Sequence, residues 1–157
     1  MKAALKRYYP TAVMILWTVA IWCFFQFWYP YHFFYQEQNQ LFLWSQDYLV
    51  TYFDKSGGLA GLIGDFLTQF FYYLYMGATI LALCLLAIGV LLYCALCHFK
   101  VSRPVALLLA ILVMTFVAVC HFSTSYRLSS TIAIMGWVLM LWLVSLLRGW
   151  EVRIIIT

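Results

Sequence analysis

The sequence predicts an all-α polytopic membrane protein, with four transmembrane helices plus one amphipathic interfacial helix in the first outer loop. Three observations carry this. Of 157 residues, 67% are hydrophobic and only 9% are charged, with a mean hydropathy of +0.96. A soluble domain is nearer half apolar and a quarter charged, so this chain could not cover a water-facing surface. Four apolar runs are long enough to cross a bilayer at roughly 20 residues per crossing. The basic residues stand beside those runs and form no patch, so the net charge of +4 points to orientation in a membrane and not to nucleic acid.

The first span is expected at 10–29. Lys2, Lys6 and Arg7 precede it, and no charge follows until Glu37. Trp28, Tyr29 and Tyr31 close it as an interfacial aromatic belt. Bulky aromatics stand where a signal-peptide cleavage site would need small residues, and Trp22 before Cys23 spoils a lipoprotein site, so the helix is expected to be retained.

The outer loop, 30–64, opens at Pro30, which stops the first helix. The stretch 29–65 holds four of the five acids: Glu37, Asp47, Asp54 and Asp65. From 36 to 54 the pattern is helical. At 100° per residue Glu37, Gln40, Asp47, Thr51 and Asp54 fall within an arc of about 100°, while Phe42, Leu49 and Phe53 take another face. This is the expected interfacial helix, with Gly57 and Gly58 at its C-terminal stop.

The second span is expected at 66–97. As one helix the uncharged run 66–99 would be about 51 Å long against a hydrocarbon core of about 30 Å, so it must project beyond the membrane or bend near Gly77 or Gly89. His98, Lys100 and Arg103 mark the next boundary, and Pro104 suits the first turn of a new helix. The third span is expected at 105–122 and the fourth, after a short turn, at 128–147. Lys2, Lys6, Arg7, Lys100, Arg103, Arg148 and Arg153 are seven of the nine cations. Placing them all on one side puts both termini in the cytoplasm and the acidic loop outside, across a bacterial inner membrane.

The five cysteines lie in or at the ends of apolar runs and read as small hydrophobes, not as a disulfide framework. Cys94-Ala-Leu-Cys97-His98 spells a c-type haem attachment motif. The topology puts it at the cytoplasmic face, where such attachment does not occur, so the match is read as coincidence.

A polar insert with carboxylates between two spans is where membrane-protein chemistry concentrates. Glu37 is the candidate general base, and it sits among Gln36, Gln38, Asn39 and Gln40, amides able to bind a sugar or phosphate. Asp47 and Asp54 are candidate substrate or divalent-metal contacts. In one unbroken helix Glu37 and Asp47 lie about 15 Å apart, too far for a close carboxylate pair. The plainer alternative is a solvated helix face. Arg127 could hold a phosphate, or snorkel to the headgroups. His32 and His121 fall near the outer face, and Gln69 is expected to hydrogen-bond a neighbouring helix.

The segment QEQNQLFLWSQDYLVTYFDKSGGLAGLIGDFLTQFF resembles the first outer loop of GT-C-type polytopic glycosyltransferases, which use lipid-linked sugar donors. In that family an Asp-Glu pair follows the first span, then a Trp, then a Tyr-Phe-Asp step and an apolar helix. Here the positions read Gln36-Glu37, Trp44 and Tyr52-Phe53-Asp54, with Lys55 to Gly58 in place of a His-Pro-Pro. The likeness covers about residues 11–85. The chain also resembles an uncharacterised family of longer bacterial multi-span proteins with the same loop. The GT-C resemblance implies Glu37 as catalytic acid/base. It also implies Gln36, Asp47, Asp54 and Arg127 as substrate contacts, a lipid-linked sugar donor and a divalent metal. Gln36 replaces the first acid of the pair, so the base role would fall on Glu37 alone. Such enzymes have more than four spans, so the chain is expected to be the N-terminal part of a longer protein. The alternative is a reduced, non-catalytic subunit or scaffold whose interfacial helix docks other membrane subunits.

Overall fold

The computed structural model describes residues 2–39 and 42–156, with side chains from 8–38 and 42–147. Within them all regular structure is helical: α1 (Lys2–Phe27), α2 (Tyr31–Asn39), α3 (Gln46–Phe53), α4 (Gly58–Thr68), a 3-10 turn (Gln69–Tyr72), α5 (Met76–His98), α6 (Arg103–Cys120) and α7 (Leu128–Ile156). Four stretches are long and apolar enough to cross a membrane: Tyr8–Phe27, Met76–His98, Arg103–Cys120 and Leu128–Leu147. Leu16, Leu83, Leu112, Phe116 and Trp137 point outward from them. An apolar exterior of this kind fits a multi-pass membrane protein.

Helix α5 is central and packs against α1, α6 and α7. Its buried face is rich in small residues (Gly77, Ala78, Ala82, Gly89 and Ala95), which lets neighbouring helices approach closely. A β-carbon at Gly89 would run into Met114, and one at Gly77 would lie 2.6 Å from the Phe33 ring. The core joins Phe25, Phe33, Phe71, Leu81, Leu85, Met114, Val117 and Leu128.

The structure departs from the sequence expectation at two breaks. The single interfacial helix over 36–54 is instead two helices, α2 and α3, with 42–45 outside any helix before α3. A local cap and a tertiary contact override the helical period. Ser45 is extended and its Oγ accepts the Tyr48 N–H at 3.3 Å, starting α3 afresh. Phe42 turns inward against Trp44, Tyr48 and Phe66, and Gln69 Nε2 donates to the Phe42 carbonyl at 3.0 Å. Gln69 thus hydrogen-bonds an irregular segment, not a helix. Gln40 lies outside the described residues.

The second run is not one rod over 66–97 either. It divides into α4, the 3-10 turn and α5, with Tyr75 left-handed at φ +70° immediately before α5. The bend therefore falls two residues before Gly77. The candidate span starts at Met76, and 58–72 joins α2 and α3 in a layer capping one end of the bundle. Pro104 lies in the first turn of α6, where its missing N–H costs nothing.

Candidate functional site

The α3–α4 hairpin folds over the start of α7. Gly57 makes the turn in the left-handed region at φ +77°, which favours glycine, and a β-carbon at Gly58 would collide with the Tyr52 carbonyl. At Gly64 a β-carbon would lie 2.6 Å from Ser129 Cα. This close approach seats α4 on the first turn of α7 and brings Arg127 beside the hairpin.

Between these parts lies a cleft of about 540 Å³, within the usual size of ligand sites. Tyr48, Tyr52, Lys55, Asp65, Arg127 and Ser129 line it. Tyr48 and Tyr52 are one helical turn apart and their hydroxyls meet at 2.6 Å. Tyr52 Oη then donates to Asp65 Oδ2 at 2.5 Å. Burial, followed by the hydrogen bonds to Asp65 and Tyr48, drives the Tyr52 phenol well above its ordinary value, so it stays protonated as a donor. Lys55 and Arg127 supply two exposed cations, and Thr51, Ser56, Ser129 and Ser130 supply hydroxyls. One engaged carboxylate, two cations and a rim of hydroxyls suit an anion that also carries hydroxyl groups, such as a sugar phosphate.

A groove of about 400 Å³ continues from the cleft, sharing Gly57, Ala60 and Ala133 with it. It runs down α4 and α7 over Leu59, Ile63, Ile132, Trp137 and Met140. The polar end and the apolar end thus form one amphipathic channel along the outside of the bundle.

Of the residues singled out from sequence, Arg127 lines the cleft, whereas Glu37, Asp47 and Asp54 do not. Glu37 is half-buried on α2, Asp47 is exposed in the first turn of α3, and Asp54 is exposed at its C-cap. Gln36 points inward. It is 2% exposed, and its Nε2 donates to the Tyr126 carbonyl at 2.5 Å, which fastens α2 to the α6–α7 turn. His121, at the start of that turn, meets His32 of α2. His121 Nδ1 lies 3.5 Å from His32 Nε2, and His121 Nε2 lies 2.8 Å from Thr131 Oγ1. Burial pushes both imidazoles below their ordinary value. His121 falls to about 3, with the neighbouring His32 adding to the effect, so both are neutral.

Among the described residues no three His, Cys, Asp or Glu side chains converge where they could hold a metal. The acids expected to share a divalent metal are not brought together, and no step is built on one. All five cysteines are free, and His98 Nδ1 lies 2.8 Å from the Cys94 carbonyl within its own helix.

The cleft residues that sequence reasoning missed are Tyr48, Tyr52, Lys55 and Asp65. Two signals were present: tyrosines at i and i+4, and a lone acid inside the apolar stretch 58–71.

Residues 6–157, nearly the whole chain, match the model of a family described as of unknown function (DUF6057). No curated protein and no solved structure matches the chain.

Proposed function

The chain belongs to that family of unknown function, DUF6057, and from its cleft we propose that it is an integral membrane protein that binds a lipid-linked sugar, as the donor-binding part of a GT-C-like glycosyltransferase. The carrying observation is the continuity of the polar cleft at Arg127 with the apolar groove along α4 and α7. A phosphate would lie on Arg127 and Lys55, with sugar hydroxyls on Asp65 and the serines. The isoprenoid or acyl chain would run past Leu59, Ile63, Trp137 and Met140. Glu37 is the acid/base candidate, and Asp47 and Asp54 are acceptor contacts. The basic segments at the termini and in the α5–α6 turn support an orientation across a bacterial inner membrane in which those parts would be cytoplasmic and the cleft outside.

Arg127→Gln should weaken binding of a polyprenyl phosphate to the purified protein by about tenfold or more, the usual worth of a charge-assisted bond. Unchanged binding removes the donor assignment. Glu37→Gln should abolish sugar transfer from a lipid carrier in membranes while leaving that binding intact. Transfer that survives the change removes the catalytic assignment.

One observation favours a second reading, a non-catalytic membrane subunit. Glu37, Asp47 and Asp54 lie off the cleft, and the carboxylate that lines it is already engaged by Tyr52. A subunit should be recovered from mild-detergent extracts with a stoichiometric partner. Transferase activity of the isolated chain excludes that role.

A further inference from the structure

A second groove lies at the other end of α6, between α1 and α6, with a volume of about 510 Å³. Val13, Leu107, Leu108 and Ile111 form its bed, and Tyr9 and Arg103 stand at its rim. Tyr9 and Arg103 are also at the starts of two candidate spans, where hydrocarbon gives way to headgroups. From Arg103 to Ile111 is eight residues, or about 12 Å of helix, close to the depth of one leaflet at about 15 Å. Leu108 is 64% exposed on the open side. The groove is thus apolar along its length and polar only at its mouth, with the proportions of a lipid chain below its headgroup.

Charge at the mouth decides which lipid. Arg103 is exposed, Lys100 lies three residues before it, and Lys2, Lys6 and Arg7 precede Tyr9 in the sequence. No acid lines the groove. Arg103 begins α6, whose first amides are the positive end of the helix, and the side chain of Ser102 makes no capping bond to them. A guanidinium fork at the positive end of a helix matches a phosphodiester, and a basic cavity between helices is the setting in which anionic headgroups bind.

We propose that this groove is a binding site for one anionic glycerophospholipid, its phosphate on Arg103 and an acyl chain on Val13, Leu107, Leu108 and Ile111. The site is separate from the outer cleft and does not depend on what that cleft binds. A zwitterionic lipid can lay its chain in the same bed, but its ammonium would face Arg103, so headgroup charge sets the preference.

The test is native mass spectrometry of the full chain released from nanodiscs containing equal phosphatidylglycerol and phosphatidylcholine. The protein should retain phosphatidylglycerol about fivefold over phosphatidylcholine, the usual effect of one basic residue at an anionic surface. Arg103→Gln should bring the two lipids to parity. Leu108→Trp, which fills the bed at an exposed position, should lower retention of both. Equal retention by the unaltered protein overturns the proposal. So does an undiminished preference in Arg103→Gln, or full retention in a Leu108→Trp protein of native helix content. Displacement of the lipid by excess glycerol phosphate would instead assign the mouth to a soluble anion and overturn the lipid site.

Discussion

Tyr52 reaches across from α3 to hydrogen-bond Asp65 on α4, Oη to Oδ2 at 2.5 Å, and this bond closes the hairpin that forms one wall of the cleft. The residues are thirteen apart in sequence, and the tight turn at Gly57 brings them together. Tyr52→Phe keeps the ring packing and removes the donor to the carboxylate. Hydrogen bonds to charged groups contribute about 1.5–3 kcal/mol, and this site is partly open, so the lower end applies. The melting temperature in detergent should fall by a few degrees, with weaker polyprenyl phosphate binding. An unaltered melt would show that the hairpin does not depend on this bond.

Two glycines at helix contacts should respond differently to the same change. At Gly64 the added methyl meets backbone atoms of Ser129, which cannot move without shifting α7. At Gly89 it meets the far end of the flexible Met114 side chain. Gly64→Ala should cost about 1–3 kcal/mol, as overpacking does, while Gly89→Ala should cost less because the thioether can change rotamer. Parallel thermal melts of the two variants decide the order, and equal losses would contradict it.

The histidine pair makes stability depend on pH in a defined direction. Both imidazoles have folded values below their unfolded value, so the native state favours the neutral form. Their contribution is complete above about pH 6.5 and is lost as pH falls below it, because the unfolded chain takes up protons that the folded chain refuses. For His121, at about 3, the loss approaches 1.4 kcal/mol per pH unit below 6.5. Melting temperature should be level from pH 7 to 8 and drop between pH 6.5 and 5. His121→Asn should flatten that drop, and a drop of equal size in the variant would place its origin elsewhere.

Gln69 offers a separate handle on the outer layer. Gln69→Leu removes the donor to the Phe42 carbonyl and leaves that acceptor without its partner beneath an aromatic cluster. The expected cost is about 1–3 kcal/mol, with faster amide exchange confined to the segment before α3. Faster exchange throughout the bundle would mean the bond supports more than this segment.

The four long helices were legible because hydrocarbon selects on length and polarity alone, which a sequence displays directly. Pro30 and Pro104 marked boundaries for equally local reasons. The break before α3 was not legible, because the helical period runs through it, whereas the excess length of the second run called for a bend near Gly77 or Gly89 without fixing it at Tyr75. Ser45 caps its helix only once Phe42 has turned inward, and a left-handed tyrosine at position 75 has no composition signal. At the cleft, Arg127 could be picked out as an isolated charge beside a span. Asp65 was visible as a lone acid, but its link to Tyr52 depends on the turn at Gly57. Gln36 read as a substrate contact because its burial depends on the distant α6–α7 turn.

The side chain at position 36 has to give a hydrogen to the carbonyl of Tyr126. An amide can do this, whereas an ionised carboxylate would set two electron-rich oxygens face to face inside the protein. Glutamine at this position is therefore a mooring that the turn requires. An acid at 36 would loosen the very turn from which Arg127 extends.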